Sequence, residues 1–393
     1  MQKELKIILL SAFIMNVAGF AVMSFLAIHL SLNLDYSAAE TGTILSLLTV
    51  VSRGVPIVAG GLGDRFGYKH MMVSGLLIRG TGLIMLGTSQ SFYMLILAAV
   101  LTGIGSALYE PSAMAFFSSE SNESIRRKAF SYLNICLNAG AIIGPLLGGS
   151  LLLVDPGYPF ILSGFIFYIL SLIQSMKIKA NCLTQKHQSF LDGMLDIKKN
   201  KLFLYYCFAM TFFWFMFAQL TVSIPLYMYN ISHNEHMTGL VITVNAISGL
   251  IFMVLFRRLY GKFNSLRLVS AGILVMLLAL AAISLKASSY WLLACVILFT
   301  IGETLVLPSS DLAVSNFTRN KFHATYFGFF EISFAVGATG GNYFGAYFTT
   351  SLQDRSWPWL VLAAVGAIGF CFLHHLSIKM KSRVIYKKET MSN

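Results

Sequence analysis

The sequence predicts an all-α integral membrane protein with twelve transmembrane helices in two six-helix repeats, and three observations predict it. Of its 393 residues 56% are hydrophobic and only 11% are charged, where a soluble domain carries about 25%. Apolar runs of the roughly 17–25 residues that cross a bilayer as a helix recur from one end of the chain to the other. The chain also comes into register with itself when it is slid by the 197 positions that separate Thr41 from Thr238.

In chain order the runs cover residues 7–31, 41–61, 71–88, 93–117, 129–153 and 158–176, then 202–227, 238–256, 268–285, 290–314, 326–349 and 357–378. The first is too long for a secretory signal and no small-residue cleavage site follows it, so it is expected to stay in the mature protein. The polar stretch near 177–201 separates a six-helix bundle, 1–176, from a second bundle with its tail, 202–393.

The formal charge of +12 invites a nucleic-acid reading, which the placement of the basic residues excludes. Short loops rich in Lys and Arg stay on the cytoplasmic side of a membrane. With the N-terminus inside, only Lys286 and Arg355 fall in outer loops and only Arg53 and Arg79 fall inside runs; every other Lys and Arg lies in an inner segment. The basic excess is therefore a topology signal, with both termini cytoplasmic. Cys136, Cys207, Cys295 and Cys371 lie in runs and Cys182 in an inner loop, without a CxxC or a Cys/His cluster. Neither disulfides, a metal nor a cofactor is indicated.

The internal match is an ordered series. Thr41-Gly42 meets Thr238-Gly239, Arg65-Phe66 meets Lys262-Phe263, Gly75 meets Gly272, Ile104-Gly105 meets Ile301-Gly302 and Pro111-Ser112 meets Pro308-Ser309. Gly140, Gly144 and Gly148 meet Gly337, Gly341 and Gly345. One offset serves them all. Two parallel repeats form the arrangement of transporters that hold a solute near the midplane and alternate its access. No nucleophile–base pair or large extramembrane domain points to a membrane enzyme or receptor.

Between the second and third runs stands Gly60-Gly61-Leu62-Gly63-Asp64-Arg65-Phe66-Gly67-Tyr68-Lys69. Gly61 to Gly67 is a near-miss to a dinucleotide fingerprint, but its last spacing is one residue too long and no strand precedes it. The stretch resembles the loop 2–3 signature of the major facilitator superfamily, G-x-L-A-D-R-x-G-R-K. Gly60, Leu62, Asp64, Arg65, Gly67 and Lys69 match, while Gly63 replaces the usual Ala and Tyr68 the usual Arg. The resemblance implies a cytoplasmic gate. Glycines permit a tight turn, and a carboxylate sits well at the positive N-terminus of a neighbouring helix, which in the family is span 11, here starting near Thr325. Arg65 is expected to meet Glu120 at the inner end of span 4.

Span 5 contains Asn138-Ala139-Gly140-Ala141-Ile142-Ile143-Gly144-Pro145-Leu146-Leu147-Gly148-Gly149. It is similar to the G-x-x-x-G-P-x-x-G-G motif of the antiporter branch, with Gly140, Gly144, Pro145, Gly148 and Gly149 in place. Small residues four apart allow close helix contact, and Pro bends the helix. Together the motifs and the repeat resemble the twelve-span drug–proton antiporter group. That implies a secondary exporter of small amphipathic compounds coupled to protons and acting as a monomer in the cell membrane. A dedicated exporter of one metabolite, such as a siderophore, is the alternative. The Arg that this group often carries in span 4 before the Gly-Ile-Gly is absent here, so proton coupling has to use other residues.

An ionisable side chain at the bilayer centre costs at least about 2.5–3.5 kcal/mol and is a functional candidate by default. Arg53, Arg79 and Glu303 are placed near mid-depth, and Glu110, Asp311 and Glu331 nearer the inner surface. An acid removed from water can take up and release a proton near neutral pH. Glu303 stands opposite Ser106 in the repeat register, so its carboxyl belongs to one half only, which singles it out as the proton carrier. The aromatic run Phe212–Phe217 offers faces that line a pocket or pack on neighbouring helices.

Overall fold

The computed structural model describes residues 3–179, 190–318, 322–351 and 357–392. Cys182, Lys186, Arg319, Lys321 and Arg355, placed by the sequence in loops, lie outside the described residues. Among those described there is no strand. Ten helices are long and apolar enough to cross a membrane: Lys3–Ser31, Tyr68–Thr88, Phe92–Ser118, Glu123–Leu152, Tyr158–Lys177, Lys201–Ser232, Met237–Leu255, Ser265–Ile283, Ser289–Phe317 and Trp357–Lys379. The pair Ala39–Gly54 and Pro56–Phe66, bent by 44°, makes an eleventh. The helix His323–Ser351, 29 residues long, is the twelfth; its glycines with Glu331 and Asn342 dilute its apolar content. In chain order these are spans 1 to 12, and the chain is a multi-pass membrane protein.

Local sequence explains where the helices start and bend. Ser37 caps span 2, its hydroxyl accepting from the Glu40 amide while Glu40 reaches back to the Ser37 amide, a reciprocal capping box. Asn122, Asn200 and Asn264 cap spans 5, 7 and 9 through their side chains. Span 2 bends where Pro56 opens its second segment, because Pro cannot supply an amide to the preceding turn. Span 5 starts at Glu123, ahead of the apolar run: Arg126, Arg127 and Lys128 are carried on helix rather than loop. The joining stretch, read from sequence as polar linker, contains a further helix, Phe190–Lys199.

Two compact units result, one formed by Met1–Asp196 with Thr318–Ile332, the other by Ile197–Phe317 with Ser333–Asn393. The first turns of span 11 therefore pack with the first six spans. In the first unit span 3 packs on spans 4 and 6, span 2 on span 4, and span 1 on spans 5 and 6. In the second, span 9 packs on spans 10 and 12, span 8 on span 10, and span 7 on span 12. The pattern repeats, and so do its closest approaches. A Cβ on Gly75 would lie 2.8 Å from the Gly105 carbonyl oxygen, and one on Gly272 would lie 2.5 Å from that of Gly302.

Candidate functional site

Asp64 lies on the last turn of the helix Pro56–Phe66, not in a loop as the sequence suggests. The turn between spans 2 and 3 is Gly67 alone, whose φ of 92° lies in the region that favours glycine. The Asp64 carboxylate is buried and takes four donors. Its Oδ1 accepts from Tyr68 Oη at 2.9 Å and the Ala324 amide at 3.1 Å, and its Oδ2 accepts from the Thr325 amide at 2.8 Å and Thr325 Oγ1 at 2.6 Å. Those amides are the free donors of the first turn of span 11, where a negative charge is favoured. Gly60 is what lets the backbones meet, since a Cβ there would overlap the Ala324 carbonyl oxygen. Tyr68, standing where the family pattern has Arg, supplies a hydroxyl to the same carboxylate.

The expected meeting of Arg65 with Glu120 does not occur. Successive helical residues point about 100° apart, so burying Asp64 turns Arg65 outward, where its guanidinium lies 5.2 Å from the centroid of the Phe66 ring. Glu120 instead caps the approach to span 5, accepting from the Asn122 amide, while its carbonyl accepts from Arg126 Nη1. Lys69 is half-buried in the first turn of span 3.

Several groups around this contact carry no motif. Tyr326 Oη donates to Asp196 of the helix Phe190–Lys199 at 2.7 Å. Both Ser118 and Thr318 hydroxyls meet His323 Nδ1, at 2.8 and 2.6 Å. Phe190, Leu191, Met194, Leu195 and Ile197 form the helical apolar pattern that marks the linker helix in the sequence.

The charges within the spans fall into separate arrangements. Arg53 Nη1 donates to Glu331 Oε2 at 2.9 Å. Arg79 Nη1 is 3.9 Å from Glu110 Oε1. Both pairs lie in the first unit. In the second, Glu303 is buried in span 10, and Asn245 Nδ2 from span 8 donates to its Oε2 at 2.7 Å and to Thr300 Oγ1 at 2.9 Å. Thr300 donates on to the Val296 carbonyl, and Tyr260 Oη donates to the Thr304 carbonyl. No ion pair involves Glu303 among the described residues. Asp311, half-buried, is eight residues along the same helix, about 12 Å away by helical rise. Asn245 escapes a census of charges; a buried amide in an apolar run was the available signal. Among the described residues no group of three His, Cys, Asp or Glu is placed to hold a metal.

The small-residue motif of span 5 packs on span 1. A Cβ on Gly140 would lie 2.5 Å from Asn16 Cβ, one on Gly144 2.7 Å from Phe20 Cβ, and one on Gly148 would overlap the Ala21 carbonyl. Gly149 is looser, 3.4 Å from Phe25, and Pro145 lies inside the helix. Gly341 repeats the contact against Phe215 of span 7. The aromatic run of span 7 packs largely on its own neighbours, Trp214 on Phe334 and Phe212 on Phe372.

A duplicated set of helices with charged side chains within its spans is the architecture of a secondary transporter. The model of the Major Facilitator Superfamily matches residues 8–234 and 202–383, and the chain belongs to that family: it is a transporter of small molecules, not an enzyme. It is similar to the multidrug resistance protein MdtH of Blochmanniella floridana, 27% identical over 91% of each chain. Its likeness to MdtH of Klebsiella pneumoniae is 26% over 90% of this chain and 89% of that one. Among solved structures it resembles the human organic anion transporter MFSD10, with a TM-score of 0.74 and 13% identity over 95% of this chain and 100% of that chain. It also resembles FucP in the outward conformation, with a TM-score of 0.77 and 15% identity over 95% and 98%. These two likenesses show the fold alone.

Proposed function

We propose that the chain is an exporter of small amphipathic compounds in the cell membrane, driven by proton influx, with both termini cytoplasmic. Its two six-span halves, 1–176 and 202–393, alternate access to the substrate. Export of drug-like compounds is supported by the name that its relatives carry, multidrug resistance protein. The observation that carries proton coupling is Glu303, buried without an ion pair among the described residues and held by Asn245 alone. Arg53 and Glu331 neutralise one another, whereas Glu303 changes the net charge of its surroundings each time a proton comes or goes. The buried donor and the low dielectric make that change large.

Glu303→Gln keeps an oxygen for Asn245 and cannot release a proton. In proteoliposomes it is expected to abolish uphill export driven by a proton gradient while downhill exchange stays measurable. Normal pumping by Glu303→Gln together with loss in Glu331→Gln or Glu110→Gln would move the carrier to the first unit. Normal pumping by all three would end the proposal that these acids couple transport to protons.

A further inference from the structure

Arg79 is anomalous. Its guanidinium offers five N–H donors in a rigid planar fork, yet no described residue accepts a hydrogen bond from it. Nε is fully buried without a partner, and the nearest carboxylate oxygen, on Glu110, stands off at 3.9 Å, beyond hydrogen-bond reach. The Phe167 ring lies 5.0 Å from the guanidinium. Gly19 of span 1 also stands beside the fork, with 3.5 Å between its virtual Cβ and Nη2. The Arg79 side chain is 14% exposed and that of Glu110 44%, so the cation is the more enclosed partner. A buried charge without hydrogen bonds is costly.

Packing does not ask for a cation here. In the second repeat the matching slot lies beside Gly302, where a Cβ would be 2.6 Å from Met276 Cγ, and it is filled by fully buried Met276. In the first, Gly105 makes the same room for Arg79, with 2.5 Å between its virtual Cβ and Arg79 Cβ. A methionine suits the slot, and an arginine has been placed in it.

We propose that Arg79 is the anchor for a carboxylate on the transported molecule, which is therefore an amphipathic organic acid or zwitterion. The planar fork matches a carboxylate with two parallel hydrogen bonds, Phe167 supplies an apolar wall, and Glu110, only loosely held, turns to any cationic group the molecule carries. This rests on the reading of the chain as an exporter and names the chemistry of its substrate.

The test uses dansyl-phenylalanine and its amide, aromatic probes that differ in the carboxylate, titrated by fluorescence against the purified full-length protein in lipid nanodiscs. The acid is expected to bind wild type about ten-fold or more tightly than the amide, the worth of a charge-assisted hydrogen bond. Arg79→Gln should close that gap and Arg79→Lys, which keeps the charge and loses the fork, should narrow it. Equal binding of acid and amide to wild type, no binding of either, or a gap that survives Arg79→Gln overturns the assignment. If Arg79→Gln does not fold, the wild-type ratio and Arg79→Lys decide. A wild-type gap without export of any compound from proteoliposomes would sink the exporter reading and leave the anion site standing.

Discussion

In the first repeat span 4 crosses span 3 at Gly105 against Gly75, and the slot beside them holds Arg79; 197 residues on, Gly302 crosses Gly272 and the slot holds Met276. The rest of the polar chemistry within the spans diverges in the same way. Arg53 and Glu110 correspond to Leu250 and Leu307, while Glu303 corresponds to Ser106 and its partner Asn245 to Leu48. Asp64 corresponds to Gly261. Duplication has kept the close backbone approaches, which admit only glycine, and released the positions between them. Charge placed at a position whose twin is apolar is not required by the scaffold. Within the spans, Arg53 and Arg79 lie in the first unit beside Glu331 and Glu110, whereas Glu303 in the second has no ion pair among the described residues.

The scaffold half of this comparison is the easiest to break. Gly302→Val would drive a side chain into the Gly272 carbonyl and the Met276 backbone, at 2.5 and 2.9 Å from Cβ, and backbone cannot yield as a flexible side chain does. Overpacking costs about 1–3 kcal/mol or more, and here two helices must part. The variant, with Gly105→Val in the other repeat, is expected to lose folded protein from detergent extracts by size-exclusion chromatography. Gly42→Ala and Gly239→Ala, a register pair with nothing within 4 Å of the added Cβ, should keep or slightly raise the thermal midpoint, since Ala is the better helix former. A stable Gly302→Val would mean that the repeated approach is not a constraint.

Those glycines and the twelve spans were readable from sequence because hydropathy and a fixed offset are local or periodic signals. Partnership is neither. Depth along a run places Arg53 and Glu331 in the membrane, but their pairing joins residues 278 positions apart, and only the packing of span 2 on span 11 decides it. The Arg65–Glu120 expectation failed because the segment was read as loop: one further helical turn fixes which neighbour faces inward. Asn245 was missed for a different reason. An amide in an apolar run carries no charge to flag it, and its importance appears only when Glu303 is found at its Nδ2.

The contact of Asp64 with the start of span 11, which has no counterpart at Gly261, is broken by Asp64→Asn, which keeps the shape and turns one acceptor into a donor facing other donors. Losing a hydrogen bond to a charged group costs about 1.5–3 kcal/mol, so the bonded state should fall in population by about ten- to a hundred-fold. Amide hydrogen exchange at Ala324 and Thr325 should accelerate accordingly, and export should drop while membrane expression holds. Its twin Gly261→Ala, with nothing within 4 Å of the new Cβ, should change neither. Unchanged exchange and unchanged export in Asp64→Asn would reduce the contact to an ordinary helix cap.

Tyr68→Phe gives the smallest effect and the sharpest reading. Tyr68 is buried, and its hydroxyl donates to Asp64 Oδ1, which also accepts from the Ala324 amide. Removing the hydroxyl therefore leaves no oxygen of Asp64 empty, and Phe fills the same space without a new polar group to satisfy. The net loss should sit near the ordinary value for one hydrogen bond, about 1 kcal/mol, or roughly five-fold faster exchange at Ala324. Because Thr325 is bonded through the other oxygen, Oδ2, its amide should move less than that of Ala324. Equal acceleration at both amides would show that Tyr68 sets the position of the whole carboxylate, and the replacement of the family's arginine by tyrosine would then be what orients the contact.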